Sequence, residues 1–75
     1  MYVLFHGTEN QCGQLVAALK GVNPDTDVRV APMYFNPTIS EAEHPDDYTL
    51  SADVGVDLAV RCLKWAEARK CYCNV

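Results

Sequence analysis

The chain has 75 residues, of which 49% are apolar, and a net charge of -4 at neutral pH, values that exclude disorder and leave room for one domain, residues 1–75. Its apolar runs are far too short to cross a bilayer and no basic, leucine-rich leader precedes them, so the expectation is a soluble, cytoplasmic protein without a membrane partner. Ordering so short a chain costs nearly as much as a core of this size returns, so docking on a partner or on a second copy is expected to help.

Met1 to His6 alternates, and is aromatic and β-branched enough to form a buried strand. Thr8 then stands three residues before Gln11, the capping-box spacing that satisfies two free N–H groups at a helix start. In that helix Cys12, Leu15, Val16 and Leu19 recur on one face, and Gly21 is the expected stop. Gly13 weakens the helix, which points to a close approach to its backbone. Asn23-Pro24-Asp25 makes a turn, and Asp27 to Phe35 reads as a second strand with Val28 and Val30 on one side. Pro32 removes a ladder donor, which places that strand at a sheet edge or a bulge. Residues 36–50, "NPTISEAEHPDDYTL", carry two prolines and read as a long acidic loop, with His44 a solvated loop residue. Ser51 or Asp53 caps a long helix to about Arg69. That helix carries one apolar stripe at Val54, Leu58, Cys62 and Trp65, and a second at Val56, Val60 and Leu63. Two stripes imply contact with the sheet on one side and with the first helix or a second protomer on the other. The ending "KCYCNV" is a third strand or a frayed tail. The predicted class is α/β, a small single-layer parallel or mixed sheet of two to three strands packed by two helices.

Charge is distributed unevenly. No lysine or arginine lies between Arg29 and Arg61, whereas Glu41, Glu43, Asp46, Asp47, Asp53 and Asp57 fall in that gap. Arg61, Lys64, Arg69 and Lys70 then cluster near the end. An acidic middle repels phosphate backbones, so direct nucleic-acid binding is disfavoured and a protein partner with a basic or nucleic-acid-binding surface fits better.

In a parallel sheet, ligands gather at the C-terminal ends of strands, and that rim would hold His6, Gly7, Thr8 and Asn10, with Phe35 and Asn36 from the second strand. Two families share motifs with this region. "LFHGT", Leu4 to Thr8, resembles the histidine-glycine-threonine motif of ADP-ribosyltransferases, and Tyr34-Phe35 distantly resembles their second motif. The resemblance implies a ribose contact for His6, although no glutamate motif follows. "VLFHGTEN", "VRVAPMYFNP" and "VGVDLAVRCLKWA" together are similar to the NYN branch of PIN-like ribonuclease domains. Phe5 and Asn10 fit the pattern that ends that family's first strand, and Gly55, Val56, Asp57, Leu58 and Ala59 fit a later helix start. Where that family has a strand-end aspartate this sequence has Gly7, and where it has a second helix aspartate this sequence has Arg61. Two-metal hydrolysis needs several carboxylates, and only Asp57, with Glu9, remains. The resemblance thus implies the fold and argues against the activity.

Four cysteines, Cys12, Cys62, Cys71 and Cys73, read as thiols. Cys71-x-Cys73, with Cys12, Cys62, His6 and His44, is the candidate set for zinc, but one-residue spacing is shorter than structural zinc sites use. Cys12 near a helix start, paired with His6, is a candidate nucleophile on paper, although its place on the apolar face favours a core role. The leading expectation is a non-catalytic protein, an inhibitor or regulator of the size that phages and mobile elements encode, that requires no cofactor. It would bind another protein through Glu41, Glu43, Asp46, Asp47 and Asp53 and a sheet edge, as a homodimer. The alternatives are an enzyme or nucleotide-binding remnant using His6, Gly7, Thr8, Asn10 and Asp57, and a Cys/His metal module.

Overall fold

A computed structural model describes residues 1–32 and 48–75. The elements run β1 (Tyr2–Gly7), α1 (Glu9–Val22), β2 (Val28–Pro32), β3 (Tyr48–Asp53), α2 (Val56–Ala68) and β4 (Tyr72–Asn74). The four strands make one sheet in the order β2-β3-β1-β4, with every neighbouring pair antiparallel. This β-α-β-β-α-β chain path is the split β-α-β arrangement, in which each helix connects two strands that have a third between them.

The sheet corrects the expected parallel or mixed arrangement of two to three strands. The difference comes from β3, which lies partly in the stretch read as an acidic loop and partly in the expected helix cap. Tyr48, Leu50 and Ala52 alternate there and are all buried, a period of two that pays no regard to the acids before it. With β3 placed between β1 and β2, neighbouring strands run in opposite directions. The segment "KCYCNV" contributes β4, which pairs with β1 through Leu4–Asn74, Phe5–Cys73 and His6–Tyr72.

Both helices cover one face of the sheet. Val3 and Phe5 of β1, with Tyr48, Leu50 and Ala52 of β3, meet Cys12, Leu15 and Leu19 of α1 and Ala59, Cys62 and Ala66 of α2. Alanines at 59 and 66, both fully buried, let α2 lie close against the strands. Trp65 sits at the seam, its ring 5.5 Å from that of Phe5 and 4.0 Å beneath the Arg69 guanidinium. The opposite face carries Tyr2, Leu4 and His6 of β1 beside Thr49 and Ser51 of β3, and among the described residues no helix covers it.

Local chemistry sets the helix ends. Thr8 caps α1 reciprocally with Gln11: the Gln11 N–H donates to Thr8 Oγ1 at 2.9 Å, and the Thr8 N–H donates to Gln11 Oε1 at 2.9 Å. Gly21 lies inside the last turn rather than ending it; the cap is Asn23, whose N–H donates to the Leu19 carbonyl. α2 starts from Gly55, which caps without a side-chain bond, because Ser51 and Asp53 are committed to β3. It ends in a Schellman motif, with Cys71 N–H donating to Ala66 O and Lys70 N–H to Glu67 O. Lys70 occupies the left-handed position at φ 57°.

Candidate functional site

The strand-end residues His6, Gly7, Thr8 and Asn10 have local structural duties that the sequence reading assigned to a ligand rim. His6 points to the uncovered sheet face, where its ring lies 4.7 Å from that of Tyr72. Gly7 ends β1 opposite Tyr48. A Cβ there would fall 2.8 Å from the buried Phe5 ring and 2.6 Å from Gln11 Oε1, so the position excludes an aspartate on packing grounds. Thr8 is engaged in the cap, and Asn10 is exposed on the first turn of α1.

Asp57 does not join them. Gly7 is level with Tyr48 and Tyr2 is level with Asp53, so the start of α2, just after Asp53, lies at the other end of the sheet. The stretches that carry the ribonuclease-like resemblance, Phe5 to Asn10 and Gly55 to Ala59, are therefore at opposite ends of the molecule. In an antiparallel sheet, strand C-termini alternate between the two ends, which removes the shared rim that a parallel sheet would supply.

The cysteines belong to the core and its border. Burial pushes the Cys12 thiol up to about 11, with Cys71 and Glu9 adding to the rise. Burial also raises Cys62, helped by Cys73, and raises Cys73 itself. A nucleophile needs the opposite shift, because the thiolate is the reactive form. Cys71 and Cys73 share a surface depression with Leu63 and Glu67, and Cys71 Sγ donates to Gln11 Oε1 at 3.4 Å. Among the described residues, no three His, Cys, Asp or Glu side chains come together in a way that could hold a metal ion.

A different grouping lies at the far end of the sheet. Asp25 and Asp27, which lead into β2, line an open depression together with Asp53 and Asp57. Asp53 Oδ1 accepts from the Met1 ammonium at 3.0 Å, and Asp27 lies 3.9 Å from the Arg29 guanidinium. All four carboxylates therefore stand where β2 begins, and β2 is an outer strand of the sheet. Sequence reasoning named Asp53 and Asp57 but missed Asp25 and Asp27. The turn containing Asp25 was visible, but its nearness to the end of β3 follows only from the Val28–Ala52 register.

The other four expected partner residues, Glu41, Glu43, Asp46 and Asp47, lie outside the described residues, as do His44, Tyr34, Phe35 and Asn36. The chain between Pro32 and Tyr48 leaves from the end of β2 opposite the four aspartates. β3 has 6 residues, so about 20 Å of strand separates Asp53 from that exit. Asp53 thus stands at the opposite end of β3 from Tyr48, the described residue that follows the acidic stretch in the sequence. Among the described residues, no helix is long and apolar enough to cross a membrane.

No protein-family model, no curated protein and no solved structure matches this chain.

Proposed function

We propose that the chain is a non-catalytic protein-binding module that accepts an extended, basic segment of another protein along β2, acting as an inhibitor or regulator of that protein. The observation that carries this reading is β2, an outer strand of the sheet among the described residues, with four aspartates at its start. An outer strand presents unpaired backbone N–H and C=O groups, a template on which a partner strand adds. Asp25, Asp27, Asp53 and Asp57 at one end of that edge favour a partner with lysine or arginine. The sequence stretch with Glu41, Glu43, Asp46 and Asp47 follows the other end of the strand and adds the same sign of charge. Pro32 removes a donor at that end, so pairing is expected along Val28 to Ala31.

The positions of the alternative ligand rim, and of the candidate nucleophile Cys12, favour the same reading. His6 stacks near Tyr72, Thr8 caps a helix, Gly7 has no room for a side chain, and Cys12 is held as a thiol. Each has a structural partner where an enzyme would need a free functional group.

The test is affinity capture from the native host, followed by amide-shift mapping with the captured protein. Three baits are compared: the unaltered chain, the pair Asp25→Lys and Asp27→Lys, and the set Glu41→Lys, Glu43→Lys, Asp46→Lys and Asp47→Lys. The expected result is a basic protein held by the first bait and lost from both reversals, with shifts concentrated on β2. Capture indifferent to both reversals, or shifts centred on the uncovered sheet face, would reject the proposal.

A further inference from the structure

We infer that a second copy of this chain docks on the outer flank of α2, so that two α2 helices pack antiparallel about a two-fold axis near Val60. This surface lies on the β4 side of the molecule, away from the β2 edge, and shares only Asp57 with the proposed partner site.

The three sides of α2 have different roles. Its underside, Ala59, Cys62 and Ala66, is buried against the sheet. One flank, Leu58, Cys62 and Trp65, faces α1, where with Leu15, Ala18, Leu19 and Val22 it lines a small apolar groove. At 100° per residue the opposite flank is Val56, Val60, Leu63 and Glu67. Val56 is 59% and Val60 42% exposed. Leu63 and Glu67 of that flank border the depression beside Cys71 and Cys73. The sequence thus places a second apolar stripe on this helix, and among the described residues the fold gives the first stripe to α1 while leaving Val56 and Val60 of the second exposed and Leu63 half-buried.

The charges beside that stripe identify the occupant. Asp57 and Lys64 are seven residues apart, so they lie on the same border of the flank, two helical turns from each other. They are also placed symmetrically about Val60 and Arg61. When two such helices pack antiparallel, Asp57 of each copy meets Lys64 of the other, and Val60 meets Val60 at the axis. A two-fold interface requires this self-complementarity, because one patch must match itself. A stripe built for an unrelated partner has no need of it. Arg61, the charge nearest the axis along the chain, turns instead to the α1 groove, which keeps the two arginines from facing each other.

α2 has 13 residues, about 20 Å of helix, so the contact belongs to the small, reversible class of interfaces. Sedimentation equilibrium of the full chain, from micromolar to submillimolar concentration, gives the test. The unaltered chain is expected to show a monomer–dimer equilibrium, and Val60→Asp to remain monomeric throughout, with circular dichroism confirming that it is folded. Asp57→Lys alone and Lys64→Asp alone are each expected to raise the dissociation constant about tenfold or more, and the double exchange to return it to near the original value. A chain that stays monomeric at every concentration overturns the inference and leaves the stripe to a different protein. So does a dimer insensitive to Val60→Asp, or a double exchange as weak as the single ones.

Discussion

Gly7 shows how one residue can suggest opposite functions at two levels of description. In the sequence it stands where a metal-binding aspartate would be in a ribonuclease-like pattern; in the structure it is the only described glycine with heavy atoms crowding the site of a Cβ. The crowding atoms belong to Phe5, which is fully buried, and to Gln11, which is held by the Thr8 cap. Gln11 can swing away, but the Phe5 ring is fixed by Leu50 and Trp65, so the strain of a methyl group falls on the core. Gly7→Ala is therefore expected to lower unfolding free energy by about 1–3 kcal/mol, the usual cost of overpacking. Gly13 is the contrast, because nothing lies within 4 Å of its would-be Cβ and it is exposed within α1. Among the described residues the close approach expected from sequence is absent, and Gly13→Ala is expected to raise stability by about 0.5–1 kcal/mol. Urea unfolding of both variants checks the pair; equal shifts in the same direction would contradict this account of the two sites.

At the scale of elements, what the sequence reveals depends on how locally each feature is determined. The α1 cap was legible because Thr8 and Gln11 satisfy each other across three residues, and the buried face of Cys12, Leu15 and Leu19 follows from helical period alone. The edge position of β2 was legible from Pro32. β3 was not, because the acids and prolines before Tyr48 suggested a loop running past it, and Ser51 and Asp53 looked like helix caps. Only pairing with both neighbours reveals that "YTLSAD" is a central strand, and the direction of the whole sheet depends on that one segment. The turn after α2 was hidden for a different reason: its left-handed residue is Lys70, where glycine is the usual signal. A lysine there bears a Cβ penalty of roughly 1 kcal/mol. Lys70→Gly is expected to recover about that much, and a rise in melting temperature with no change in circular dichroism at native temperature would show it. A fall in melting temperature would mean that the Lys70 side chain stabilises the turn by more than its backbone costs.

For the molecule as a whole, the antiparallel topology separates what folds the chain from what the proposed function uses. β2 and β3 are neighbours in register, with Pro32 level with Tyr48, so the geometry needs only a tight turn to join them. The sequence instead places residues 33–47 there, including Glu41, Glu43, Asp46 and Asp47. A long connection adds loop-closure entropy to the cost of folding, so its length is not a requirement of the sheet. Replacing residues 33–47 with Asn-Gly is expected to leave a cooperative unfolding transition, with stability unchanged or higher by on the order of 1 kcal/mol. Part of the entropic gain is offset because Pro32 has no N–H to give the new turn. The same variant is expected to lose capture of the basic partner, since half of the proposed charge complementarity goes with the stretch. A shortened chain that folds and still captures its partner would assign binding to Asp25, Asp27 and the β2 edge alone. A shortened chain that fails to fold would show that residues 33–47 contribute to the core, and that folding and binding share this segment.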